Sequence, residues 1–186
     1  VSRFPGLCQR GHFCVVPNIL DSATTVFPLP ALPKPRFHKK MSNVQMCTNP
    51  CQLRWAGKDI RVFSHDVLQY MRSHHVPISP QSGADSRIEF DTPGQSLVKT
   101  ILHQGHLLPV AGTPIYWNYD HALRLYPLPD VLILAGDNST SLATGFGEHY
   151  GGCQVVHPGS FTAKASYAVL QPDEENEKQA NFFRLD

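Results

Sequence analysis

The chain has 186 residues, 41% hydrophobic and 17% charged, with a net charge of +1. These values allow one domain of ordinary size with a sizeable core. They exclude general disorder and any sequence-wide attraction to nucleic acid or anionic membrane, so a nucleic-acid contact would need a local patch. Sixteen prolines and 13 glycines predict many turns, hence strands and connections more than long helices.

In chain order, Phe13–Val16 is a short apolar run stopped by Pro17-Asn18, which predicts a buried strand and turn. A core-like strand so soon after Val1 leads us to expect the C-terminal part of a longer protein. Asp21–Pro35 is punctuated by proline, which lacks the N–H a ladder needs, so an extended surface connection is expected. Arg36–Lys40 is a compact basic cluster, read as a solvated face. Val44–Cys47 and Leu53–Trp55 flank Thr48-Asn49-Pro50, a hairpin-like turn signal.

Asp59–Val62 alternates as a half-buried strand should, with Ser64 as N-cap of a following helix whose stripe is Val67, Leu68 and Met71, ending at Val76-Pro77. Residues 78–91 are polar and turn-rich, hence a loop. Thr92, Pro93 and Gln95 form a capping-box pattern for a second helix. Leu97, Val98, Ile101 and Leu102 share one of its faces and Gly105 stops it. Strands are then predicted at Pro114–Trp117, Ala122–Tyr126, Val131–Leu134, Cys153–Val156 and Ser166–Leu170, with Pro158-Gly159 as a turn. The VLIL run at 131–134 predicts burial on both faces. Residues 138–152 are expected to form a flexible loop, 173–178 a charged bend, and Phe182-Phe183 an edge element. No internal repeat or second domain is evident, so residues 1–186 are read as one unit.

Motifs for common chemistries are missing. There is no nucleophile elbow, Walker loop or dinucleotide fingerprint, and Gly145–Gly152 lacks the dinucleotide spacing. The five cysteines (Cys8, Cys14, Cys47, Cys51, Cys153) are odd in number and scattered. That pattern does not read as a secreted disulfide framework and leads us to expect a reducing, intracellular setting. Cys47-x-x-x-Cys51 lacks the partner pair that a structural zinc site requires. No apolar run approaches the roughly 18–20 residues that cross a bilayer. Among ten histidines, His106 in Gln104–Pro109 stands out because Gly105 fixes its backbone, and it is expected to bond helix-end carbonyls. His157 is read as supporting its turn. Tyr116, Trp117, Tyr119 and Tyr126 lack interleaved basic residues apart from Arg124, which favours a core or protein interface over a base-stacking platform.

Several stretches in this order and spacing (Asn49-Pro50-Cys51, Ile60–Phe63, Val98–Pro109, Pro114–Asp130 and His157–Phe161) resemble the B subunits of eukaryotic replicative DNA polymerases, most densely the epsilon branch. The resemblance implies an α/β fold: a calcineurin-like, metallophosphoesterase-type two-sheet sandwich flanked by helices. Here it would be inactive and incomplete at its N-terminus, with an oligonucleotide/oligosaccharide-binding domain and the upstream half outside this chain. A working enzyme of that superfamily holds two divalent ions roughly 3.5–4 Å apart on imidazoles and carboxylates at strand ends. Its Gly-His-x-His after a buried strand is here Gly136-Asp137-Asn138-Ser139, and the expected Asn-His pair is Asn18-Ile19, with Asp21 close by. Asn18, Asp21, Asp137 and Asn138 are thus degenerate positions, and no catalytic residue, metal or cofactor is expected. The chain also departs from the family's Val-Pro-Gly-Pro-x-Asp-Pro turn, reading Val-Pro-Asn-Ile-Leu-Asp.

What the resemblance implies about function is a non-catalytic accessory subunit of the DNA polymerase epsilon complex, acting in nuclear DNA replication. Such subunits bind the C-terminal domain of the catalytic subunit and help tether it to the replicative helicase through GINS, with DNA reached through the complex and no membrane partner. Tyr116, Trp117, Tyr119, Arg124, His157 and Phe161 are the interface candidates. The alternatives are an active metal-dependent phosphodiesterase or nuclease, which Gly136–Ser139 opposes, and the equivalent accessory subunit of polymerase alpha or delta.

Overall fold

The computed structural model describes residues 6, 10–34, 43–74, 93–109, 112–136, 145–171 and 180–184. Phe13–Val15 (β1) pairs in parallel with Val44–Met46 (β2). Cys51–Trp55 (β3), Lys58–Ser64 (β4), Val131–Ala135 (β5), Phe146–Tyr150 (β6) and Cys153–His157 (β7) form a five-stranded sheet in the order β3-β4-β5-β7-β6. Its three central strands run parallel and its two edge strands antiparallel. Ser166–Leu170 (β8) and Ala180–Arg184 (β9) make an antiparallel ladder.

Strand alternation sends the side chains to two different covers. On one face Phe63, Leu132, Leu134, Cys153 and Val155 meet two helices, Val67–Ser73 (α1) and Pro93–Gln104 (α2). These helices contribute the stripes their periodicity predicts: Val67, Leu68 and Met71 from α1, and Leu97, Val98, Ile101 and Leu102 from α2, all buried. On the other face Ile60, Val131 and Val156 pack with Leu53, Val62 and Ile133, and Ala168 and Leu170 of β8 cover them. Burial on both faces accounts for the uninterrupted apolar run of β5. The result is a mixed α/β arrangement: helices, a multi-stranded sheet, and a small ladder beneath it.

Several expectations change. Thr48–Pro50 does not join a hairpin, because β2 pairs with β1 while β3 turns back into β4 through Ala56-Gly57. Both turn residues have positive φ (49° and 77°), as a two-residue type I′ loop requires. Ser64 ends β4, and the N-cap of α1 is Asp66, whose side chain makes no cap bond. Gly105 at φ 62° stops α2 as expected, while Thr92 and Val76-Pro77 lie outside the described residues, as do the basic cluster 36–40 and the loop 78–91.

The proline-punctuated stretch lies on the surface at both ends, but its middle does not. Phe27 and Leu29 are 0% and 1% exposed and belong to the core. In Phe27-Pro28-Leu29-Pro30 the prolines alternate with residues that keep their N–H, and those amides do the pairing. Phe27 donates to Pro114 O (3.0 Å) and Leu29 to Asn49 O (2.7 Å), while Tyr116 N returns a bond to Phe27 O (2.8 Å) and Asn49 N one to Leu29 O (3.0 Å).

The strand predicted at Pro114–Trp117 reduces to that single bridge at Ile115, after which Trp117–Leu123 is a 3₁₀ helix (η1). Ala122–Tyr126 likewise joins no sheet. Its Arg124 bridges His106, with Leu125 N donating to Gly105 O and Leu107 N to Leu123 O. Within 138–152, β6 is a sheet strand, and Gly151-Gly152 (φ 60° and 82°) form its hairpin turn into β7. Phe161–Lys164 (α3) is a short helix between the Pro158-Gly159 turn and β8, N-capped by Ser160, whose Oγ accepts from Ala163 N. Phe182-Phe183 does lie on an end strand, β9.

Asn49 is wholly buried and its side chain is fully engaged. Its Nδ2 donates to Pro17 O (2.8 Å) and Ser64 O (2.7 Å), and its Oδ1 accepts from Ser64 N (3.1 Å). Truncation would strand three backbone groups, each costing about 1–3 kcal/mol. Asn49→Ala is therefore expected to lower unfolding stability by about 3 kcal/mol or more, read as a drop in urea midpoint. In contrast, Ala56→Asn relieves a left-handed alanine and should raise stability by about 0.5–1 kcal/mol; a lower melting temperature would count against strain at that turn.

Candidate functional site

The residues singled out in the sequence fall mainly in two regions: the C-terminal ends of the parallel strands, and the turn carrying the exposed aromatic residues. At the strand ends, Asn18 and Asp21 satisfy each other. Asn18 N donates to Asp21 Oδ2 (3.0 Å), Asn18 Oδ1 accepts from Leu20 N (3.2 Å), and Asn18 Nδ2 reaches Ser64 Oγ (3.2 Å). These groups build a turn and tie it to the end of β4. Beside them, His65 N donates to Ala135 O (2.8 Å), and the His65 ring lies 5.0 Å from Phe27 and 5.9 Å from Phe63. Burial there lowers its pKa.

Gly136, directly after β5, has no room for a side chain. A Cβ would stand 2.1 Å from Asp66 Oδ1 and 3.2 Å from Asp66 Cα. Asp137 and Asn138 lie outside the described residues. Among the described residues, no three His, Cys, Asp or Glu side chains come together in a group able to hold a metal ion.

The second region is an aromatic ledge. Tyr116, Trp117, Tyr119 and Tyr126 are 52%, 76%, 55% and 89% exposed. Tyr116 and Tyr119 stack at 5.4 Å between centroids, so each ring braces the other. The backbone beneath is tied down along its length. Its start is held by Tyr116 N on Phe27 O, and its end by buried Leu123 and Leu125.

The middle is held by Asp120. Arg124 Nε and Nη2 grip Asp120 Oδ2 at 2.9 and 2.8 Å, and His106 Nε2 lies 3.1 Å from Asp120 Oδ1. The Arg124 fork, and after it the His106 bond, hold the Asp120 carboxyl below the usual carboxylate range. His106 Nδ1 accepts from Leu108 N (3.0 Å), so Nε2 is the nitrogen that carries the proton to Asp120. Its partners are thus an amide and a carboxylate, not the helix-end carbonyls expected of it. Beneath the ledge, Arg61 on β4 donates through Nη1 to the carbonyls of Ala122 and Arg124. Sequence reasoning missed Arg61, Asp120 and Asn49, since each acts on groups far away in the chain.

Of the interface candidates, Tyr116, Trp117, Tyr119 and Arg124 sit together on the ledge. Phe161, 62% exposed, opens α3 beyond the end of β7. His157 is 1% exposed, stacked on Phe146 at 5.3 Å with a 2° interplanar angle, and offers no side-chain surface. It supports its turn as read, accepting from Gly159 N at Nδ1 (3.2 Å).

Burial pushes the His157 pKa from 6.5 down to about 4. Above the unfolded-state value His157 is neutral in both states. As pH falls from there toward about 4, the unfolded chain takes up the proton first, so stability drops through that window and levels off below it. The loss is about 3 kcal/mol. Urea midpoints at pH 7.5 and 4.5 should show it, and His157→Asn, which keeps an acceptor for Gly159, should shrink the difference.

Comparison with known proteins follows the same lines. The family of DNA polymerase alpha/epsilon B subunits matches residues 1–143. The chain is 35% identical over 178 residues to the DNA polymerase epsilon B-type subunit of Arabidopsis thaliana, and 33% identical over 179 residues to DNA polymerase epsilon subunit 2 of Homo sapiens. Each alignment covers 92% of this chain and 32% of the relative. The Saccharomyces cerevisiae counterpart, also named for polymerase epsilon, is 27% identical over 224 residues, covering 98% of this chain and again 32% of the relative. The chain therefore spans about a third of the length of these relatives. With most of its length matched, this chain belongs to the family of DNA polymerase alpha/epsilon B subunits.

Proposed function

We propose that this chain is part of a non-catalytic accessory subunit of the nuclear DNA polymerase epsilon complex, with a calcineurin-like fold that serves as a docking scaffold. Family membership supports the assembly, since its relatives are named as subunits of that polymerase. The observation that carries the scaffold reading is the aromatic ledge. Four large aromatic side chains stand exposed on a backbone held by Asp120, Arg124, His106 and Arg61. Rigid, exposed Trp and Tyr beside an Arg is the composition of an interface hot spot, where the ordering cost is met before binding. The partner is the C-terminal domain of the catalytic subunit, with Phe161 as a further contact. Tethering to the replicative helicase through GINS, and access to DNA through the complex, belong to the same proposal. The strand-end positions support it too: Asn18 and Asp21 are spent on local bonds, and Gly136 is packed against Asp66.

The test is affinity capture of the full-length protein co-expressed with the C-terminal domains of the epsilon, delta and alpha catalytic subunits. Selective recovery of the epsilon domain is expected. Trp117→Ala should weaken capture by roughly thirtyfold while the melting temperature holds, because Trp117 is exposed in the free chain. Unchanged capture by Trp117→Ala and Tyr119→Ala would remove the ledge from the interface, and recovery of another polymerase's domain would change the complex.

A further inference from the structure

Both edges of the five-stranded sheet are hairpin strands, β3 against β4 and β6 against β7. A two-residue type I′ turn makes the closing pair a mutually bonded one. Trp55–Lys58, Leu53–Ile60 and Cys51–Val62 therefore exchange bonds across the β3–β4 ladder. The intervening residues, Gln52 and Arg54, aim their N–H and C=O groups away from the sheet. Among the described residues nothing bonds to these backbone groups. The strand is little protected as an edge, since it contains no proline and no bulge. Its one charge, on Arg54, is held by Asp59 through bonds of 2.9 and 3.1 Å. Leu53 and Trp55 share the ladder-side face, where Trp55 is 48% exposed.

We propose that β3 is a self-pairing edge, through which a second copy of this chain joins antiparallel about a two-fold axis at Leu53. Outward groups at Gln52 and Arg54 allow three symmetric registers. Setting Gln52 against Gln52 carries the pairing onto Pro50, which has no N–H to give, and setting Arg54 against Arg54 opposes like charges. The register centred on Leu53 uses all five residues of β3. In it Gln52 exchanges bonds with Arg54 of the second copy, Leu53 meets Leu53, and Trp55 lies opposite Cys51. Apolar side chains thus meet on the ladder side, and an amide meets a guanidinium on the other. The edge at β6 lacks this match. The Gly151-Gly152 turn sends the outward groups there to Gly147 and His149, and the register using the whole strand sets Glu148 against Glu148. The assembly closes as a dimer, because the two-fold consumes the edge it uses.

The experiment is sedimentation velocity of the purified full-length protein over about 1–100 μM, the range of a small, weak interface. A dimer that grows with concentration is expected. Gln52→Lys sets a lysine opposite Arg54 at both ends of the pairing and should weaken the dimer about tenfold while the melting temperature of the dilute protein holds. Gln52→Pro, which removes an outward amide and leaves the β3–β4 bonds in place, should do the same. A third variant reports the register directly. Leu53→Cys brings two thiols across the axis on Cα atoms about 4.5 Å apart, within disulfide range. Oxidation with diamide should then give a covalent dimer whose linked peptides, mapped by mass, join position 53 to position 53. A monomer at every concentration would overturn the proposal. So would a dimer that both Gln52 variants leave intact, or the absence of the 53–53 link in oxidised Leu53→Cys.

Discussion

The fold turns on one buried amide. Asn49 exchanges two backbone bonds with Leu29 and two side-chain bonds with the backbone of Ser64, and donates a fifth bond to Pro17. Three chain segments distant in sequence are therefore held at one point: the connection after β1, the proline-punctuated segment, and the end of β4. No other side chain meets these demands. An aspartate has no donor for the two carbonyls, an alanine has neither donor nor acceptor, and a glutamine carries its amide one methylene further out. With Ser64 held, the following His65 and Asp66 enter α1 beside the end of β5, and Gly136 closes against Asp66.

The sheet transmits that anchoring to the surface. One face carries the helices and the other the β8–β9 ladder, so β4, β5 and β7 are rigid between two covers. Arg61, on the helix-side face of β4, then reaches the carbonyls of Ala122 and Arg124. A guanidinium can hold two carbonyls while keeping its charge, and the backbone it grips is the one displaying Tyr116, Trp117 and Tyr119. The ledge is thus fixed from below by the sheet and from the side by Asp120 and His106. The strand ends differ in character, because their polar groups are largely turned toward one another.

Much of this was legible from local pattern. Both helical stripes followed from periodicity and β5 from its uninterrupted apolar run, because the side chains that define those elements are also the ones they bury. Gly151-Gly152 also carried a readable signal: two glycines between an alternating stretch and an apolar run form a hairpin signature, yet a glycine-rich segment was expected to be a loop. The middle of the proline-punctuated segment departed from expectation for the opposite reason. Counting missing donors suggested surface, but with proline at every second position the remaining amides fall on the bonded side and Phe27 and Leu29 on the buried one.

By itself the sequence determined the element types where periodicity is strong, and the family through its ordered motifs. Only the tertiary structure decided that Trp117–Leu123 is a 3₁₀ helix in place of the strand ends predicted on either side, and that His157 is interior while Trp117 is exposed. The physical reason is range. Periodicity reports the side of its own element that a residue occupies, whereas the bonds at Asn49, Arg61 and Asp120 join groups brought together only when the sheet and its covers have assembled.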